Sequence, residues 1–194
     1  MSPGRWKGGE VTKDDRTAEF IVADLIHAEN WHELEETAFQ WGLQLLADEL
    51  GEERLLWAQA QITYQYGDTS YLEEYVSLYP LPGDDASRLF MQGIVAGTVK
   101  PNLKAAAKIR GGAENRAEQM LYCAVTLKGL DHIRGHAALV ADVLATEPSE
   151  VRAVCKRIGD DVRAMTMRCC GFKDDALKSA LKKMSKILKK PALG

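Results

Sequence analysis

The sequence predicts an all-α fold, and three observations carry that reading. Apolar residues recur at helical rather than alternating spacing along nearly the whole chain. Ala, Leu, Glu and Lys are abundant while proline is limited to six of 194 residues, a balance that favours helix over strand. Hydrophobic residues make up 46% and charged residues 27%, so the chain has enough apolar mass for a packed core, and disorder or collagen-like repeats are excluded.

The polar, glycine-rich start reads as a loose arm over residues 1–11, without the apolar segment of a secretory signal. Thr12 or Asp14 would then cap a first helix with Phe20, Ile21, Leu25 and Ile26 on its apolar side. A second helix is expected from Trp31 to Leu50, with Leu34, Ala38, Trp41, Leu45 and Leu46 in one stripe and Gly51 as its stop. A third, Glu52 to Tyr66, carries Leu56, Trp57, Ala60 and Tyr64 and halts at Gly67-Asp68. A shorter one, Ser70 to Leu78, runs into Tyr79-Pro80-Leu81-Pro82-Gly83-Asp84-Asp85, the strongest punctuation in the chain.

Beyond it the spacing predicts helices over Ala86–Val99, Asn102–Ile109, Ala113–Leu127 and Asp131–Thr146, with a stop at Gly111-Gly112. Gly93 and Gly97 fall in an apolar helical run and suit close packing rather than a phosphate-cradling loop. Pro148 opens the next helix, where Val151, Val154, Cys155, Ile158, Val162 and Met165 form a clean amphipathic stripe. The last helix, Asp174–Lys189, has Leu177, Leu181, Met184 and Leu188 along one edge. About nine to ten helices joined by short loops make either an irregular multi-helix bundle or a short α-solenoid of antiparallel hairpins. The expected organisation is a helical domain over 12–170, with a possible break at 80–85, followed by a basic amphipathic helix in 171–194 that packs on it or projects from it.

Trp57, Tyr64 and Gly67-Asp68 resemble the first helix and turn of a tetratricopeptide repeat. Glu73 stands where that pattern wants alanine, and Pro80 comes early. Asp131–Thr146 followed by Pro148 echoes a second repeat helix in a different register. The resemblance covers one hairpin and assigns no family.

The net charge of −3 hides a marked asymmetry. Residues 1–150 hold 13 Lys and Arg against 24 Asp and Glu, whereas residues 151–194 hold 12 against 4. An acidic body therefore ends in a basic quarter, whose lysines include Lys178, Lys182 and Lys186. Such a surface attracts an acidic partner or a nucleic-acid backbone.

Few residues suggest chemistry. His132 and His136, in Asp-His-Ile-Arg-Gly-His, share a helix face at i, i+4 and could grip a metal together, though the zincin glutamate is missing between them. Glu29 and His32 have the Glu-x-x-His spacing of di-iron bundles, but no second pair completes the set. No nucleophile elbow is present. Cys123, Cys155, Cys169 and Cys170 form no C-x-x-C motif, and free thiols in a reducing cytoplasm are the expectation. Ser149–Cys170 also admits a helix-turn-helix reading, with Gly159 as the turn and Val162–Arg168 as the reading helix, against which Asp160 and Asp161 stand.

The function these features favour is a non-catalytic protein-interaction or scaffold module of helical hairpins, with another protein as its partner and no cofactor. Its candidate contact residues are Tyr64, Tyr71 and Tyr75 near the proline loop, together with Lys178, Lys182 and Lys186. Nucleic-acid binding through residues 149–190 is the alternative, and a metal-dependent enzyme built on His132 and His136 is the third reading.

Overall fold

A computed structural model of the chain describes residues 17–100 and 116–189. Among the described residues the chain is all-α, with nine helices and no strand. The expected N-terminal arm, its Thr12 or Asp14 cap, the helix over 102–109 and the Gly111-Gly112 stop lie outside the described residues. No helix described is long and apolar enough to cross a membrane.

The helices are α1 (Ala18–His27), α2 (Trp31–Leu50), α3 (Glu52–Gln65), α4 (Ser70–Leu78), α5 (Asp85–Val95), α6 (Arg116–Gly135), α7 (Ala137–Leu144), α8 (Pro148–Cys170) and α9 (Asp174–Ile187). The chain divides into two compact units, one of residues 1–45 and 122–166, the other of 46–121 and 167–194. Helices α2, α6 and α8 each contribute residues to both. The proline loop at 80–85 and all of α9 fall within the second unit.

In the first unit α1 packs on α7. Helix α1 is described from Ala18, after an extended Thr17. Its buried residues are Val22 and Ala23, with Ile21, Leu25 and Ile26 half-buried. Phe20, expected inside, is 48% exposed.

The sequence splits α6 at the Lys-Gly-Leu of 128–130; the structure runs it unbroken from Arg116 to Gly135. Gly129 lets α6 lie directly against the backbone of α2: a β-carbon there would overlap the Ala38 carbonyl. Gly42 of α2 meets the Val125 carbonyl in the same way. These glycines are helical contact points that let the two backbones touch. Tyr122 reinforces the seam by donating to Glu35 Oε1 at 2.7 Å and stacking on Phe39 with centroids 4.7 Å apart.

The expected single helix over Asp131–Thr146 is interrupted at His136, and α7 ends at Leu144 because Ala145 takes a left-handed conformation (φ 51°). Helix α8 is continuous through Gly159, which is buried beside Leu127 and Leu130. The turn required by a helix-turn-helix is therefore absent at that position. Arg157 of α8 lies over the Trp31 ring, 4.1 Å from its centroid.

In the second unit α3 and α4 form a tightly packed hairpin, and α9 packs on α3. Its core is aromatic: Trp57 and Tyr75 stack with centroids 4.8 Å apart, and Phe90 meets Trp57 and Tyr64 edge-on at 5.8 and 5.7 Å. Helix α5 stops at Val95, short of the expected Val99. Gly97 (φ 68°) closes a Schellman motif in which the Thr98 amide donates to the Gly93 carbonyl at 2.8 Å. Helix α9 buries Leu177, Met184 and Leu188, three of the four residues its amphipathic spacing predicts, with Leu181 half-buried.

Candidate functional site

The second unit contains a cleft of about 630 Å³. One face of α3 supplies Glu53, Arg54, Trp57, Ala58 and Gln61, residues that helical periodicity brings into line. Tyr75 of α4 closes the floor, Gly83 to Ser87 form one wall, and Lys186, Ile187 and Lys189 form the opposing edge.

Local chemistry fixes these walls. The loop Pro80–Gly83 cannot continue α4, and Asp84 restarts the helix by accepting the Ser87 amide at 2.9 Å. That bond, with a second from the Ser87 hydroxyl, holds the Asp84 carboxyl below its ordinary pKa. Ser87 in turn accepts the Trp57 indole N–H at 2.7 Å, so the start of α5 is tied to the middle of α3. The Tyr75 hydroxyl has two acceptors for its one proton, Glu53 Oε1 at 3.2 Å and the Pro80 carbonyl at 3.1 Å. Burial, then the bond to Glu53, pushes the Tyr75 hydroxyl up to about 12.

Both acids of the cleft are thus engaged. Its cations are not: Arg54, Lys186 and Lys189 have no ion-pair partner among the described residues. The arrangement is an apolar floor beneath unpaired positive charge.

The structure distributes the expected contact residues unevenly. Tyr64 and Tyr75 belong to the core, at 7% and 0% exposure, and cannot form an exposed patch; each is held there by ring contacts with Phe90 or Trp57. Tyr71 is half-buried against that core, and burial followed by nearby Glu118 pushes its hydroxyl up to about 12. Lys178, Lys182 and Lys186 are exposed on α9 at i, i+4, i+8, with Lys178 paired to Asp174. Lys186 is the member of this row that reaches the cleft.

His132 and His136 do come together, with ring centroids 4.4 Å apart and His136 Nδ1 3.0 Å from the His132 carbonyl. His136 precedes α7 instead of riding within a helix. The crevice beside the pair, lined by Glu19, Val22 and Trp41, measures only about 10 Å³. Among the described residues no group of three or more His, Cys, Asp or Glu is placed to hold a metal ion. Glu29 sits in a turn with φ 52° and His32 is exposed. Cys123, Cys155 and Cys170 are buried and Cys169 half-buried, all as free thiols. Burial raises the pKa of Cys155 to about 11, which keeps it from acting as a thiolate nucleophile at neutral pH.

Sequence reasoning missed Glu53, Arg54, Asp84 and Ser87 as site residues. Two signals for them were present: Glu53, Trp57 and Gln61 recur at i, i+4, i+8, and Asp84 stands three residues before Ser87 at a helix start. No protein-family model, curated protein or solved structure matches the chain.

Proposed function

We propose that the protein is a non-catalytic interaction module whose second unit docks an acidic protein surface on α9. The observation that carries this reading is the presentation of the lysines. Leu177, Met184 and Leu188 are buried, and α9 packs on α3, so Lys178, Lys182 and Lys186 stand in water on a helix held in place. A fixed row of cations steers an acidic partner and sets its register, with an effect that fades as salt screens it.

Nucleic-acid binding through 149–190 would use the same lysines. The continuity of α8 through Gly159 leaves it only the form of backbone contact, with the exposed Asp160 and Asp161 opposing it.

The test is affinity purification from the native host with the wild type and with a Lys182→Glu/Lys186→Glu variant of unchanged helicity and melting temperature. An acidic protein retained by the wild type and lost by the variant supports the reading. Retention abolished by nuclease, with duplex affinity falling steeply as salt rises, favours the nucleic-acid alternative. Equal retention by both forms overturns the role of α9.

A further inference from the structure

We infer that the cleft between α3, the start of α5 and the end of α9 binds a small amphiphilic monoanion, a carboxylate carried on an apolar body. This inference rests on the cleft alone and stands whether or not α9 docks an acidic protein.

Size comes first. A space of about 630 Å³ falls within the range of roughly 300–1,000 Å³ typical of sites for small organic molecules. It is far larger than the crevice of about 10 Å³ beside the histidines, which has room for a single water at most. The lining is of the kind such sites use: Leu50, Pro82, Ala86 and Ile187 present apolar surface over the buried Trp57 and Tyr75 rings, and a few charged groups converge above it.

Charge then selects the ligand. Three cations and two carboxylates line the space, leaving one positive charge in excess. Each carboxylate accepts a bond from its own wall, Glu53 from the Tyr75 hydroxyl that it shares with the Pro80 carbonyl and Asp84 from the amide of Ser87. Among the described residues no carboxylate pairs with the guanidinium of Arg54 or the ammonium groups of Lys186 and Lys189, which leaves them to meet a ligand. A singly charged carboxylate balances the excess, and Arg54 has the planar pair of N–H donors that matches its two oxygens. A cationic head would meet repulsion there. A head without a tail would forgo the apolar floor, where most of the affinity of a small ligand arises.

The cleft also contains its own reporter. The Trp57 indole N–H is hydrogen-bonded to Ser87 at the wall, so a ligand seated on the floor changes the environment of that one proton.

The experiment is a titration of the full ¹⁵N-labelled chain with decanoate below its micelle concentration, following the Trp57 indole resonance, assigned with Trp57→Phe. Acetate and decyltrimethylammonium serve as the head-only and opposite-charge probes. We expect saturable binding of decanoate with a dissociation constant below about 1 mM, and at least tenfold weaker binding of both other probes. Arg54→Gln/Lys189→Gln, two exposed positions whose loss leaves the core intact, should weaken decanoate at least fivefold. Ala86→Trp, on the exposed first turn of α5, should block it by filling the mouth. The inference is overturned if decanoate fails to saturate, if the cationic amphiphile binds as well, or if both variants bind like the wild type.

Discussion

The two units solve helix packing in opposite ways. In the first, small residues let backbones touch: Gly42 lies against the Val125 carbonyl and Gly129 against that of Ala38. In the second, Trp57, Tyr64, Tyr75 and Phe90 meet in tilted and edge-on pairs, and large rigid rings hold the helices apart. Backbones in contact leave little volume between them, and the crevice at the histidines of the first unit measures only about 10 Å³. Ring-spaced helices fill their centre but leave a hollow where the rings end, and that is where the 630 Å³ cleft lies. The difference teaches that the aromatic packing which stabilises the second unit also makes its site.

The largest effect that breaks this contrast is expected from Gly129→Ala. One methyl group at that position must displace the α2 backbone, which cannot yield as a side-chain end does. We expect a loss of about 3 kcal/mol or more, at the upper end of overpacking costs, and a comparable loss for Gly42→Ala. Gly135→Ala, with open space around it, is the control and should be neutral or gain up to about 1 kcal/mol from better helix propensity. Urea denaturation checks all three. Equal stability of Gly129→Ala and Gly135→Ala would show that the seam is loose.

The same contrast explains what was legible in the sequence. Helices whose burial follows one apolar stripe, such as α2, α3, α4 and α9, appear in the sequence within a residue or two of their observed limits, because periodicity alone fixes them. The sequence places a gap between Leu127 and Asp131 inside what is one helix, and the glycine in that gap, Gly129, is there for the Ala38 carbonyl on another helix. The end of α5 depends on the left-handed Gly97, a signal that was present but competed with an apolar run continuing to Val99. At the site, the lysine row was readable, since exposed cations declare themselves by spacing. Tyr64 and Tyr75 were misplaced for the opposite reason: a tyrosine suits a surface or a core equally well, and the ring contacts with Phe90 and Trp57 that hold these two inside are long-range. The cleft depends on α3, α5 and α9 converging, and no local pattern encodes that.

A moderate effect sharpens the account of the cleft wall. Asp84 caps α5, so Asp84→Ala should cost about 1 kcal/mol, while Asp84→Asn retains most of the cap. The folded pKa of Asp84 is lowered, so its contribution is present above the unfolded value of 3.8 and is lost as pH falls through the folded value. Asp84→Asn should therefore show a shallower loss of stability below about pH 4 than the wild type. Identical acid profiles for the two would remove Asp84 from the wall.

The smallest effect separates the units by pH. All four histidines, His27, His32, His132 and His136, belong to the first unit, and the second has none. Burial, then the neighbouring His136, holds His132 below its ordinary value of 6.5; Lys128 adds to this and Glu19 opposes it. A depressed imidazole is neutral in the folded chain when the unfolded chain already binds a proton. Stability is thus greatest above pH 6.5 and declines as pH falls from there toward the folded value. Denaturation at pH 7.5 and 5.5 should show a modest loss at the lower pH, reduced in His132→Gln. Backbone amide exchange should place the loss in α1 and α7, which pack together beside the histidine pair, while α3 and α4 stay protected. An imidazole titration of His132 at or above 6.5, or acid-induced exchange that begins in α3 and α4, would reverse the assignment of pH sensitivity to the closely packed unit.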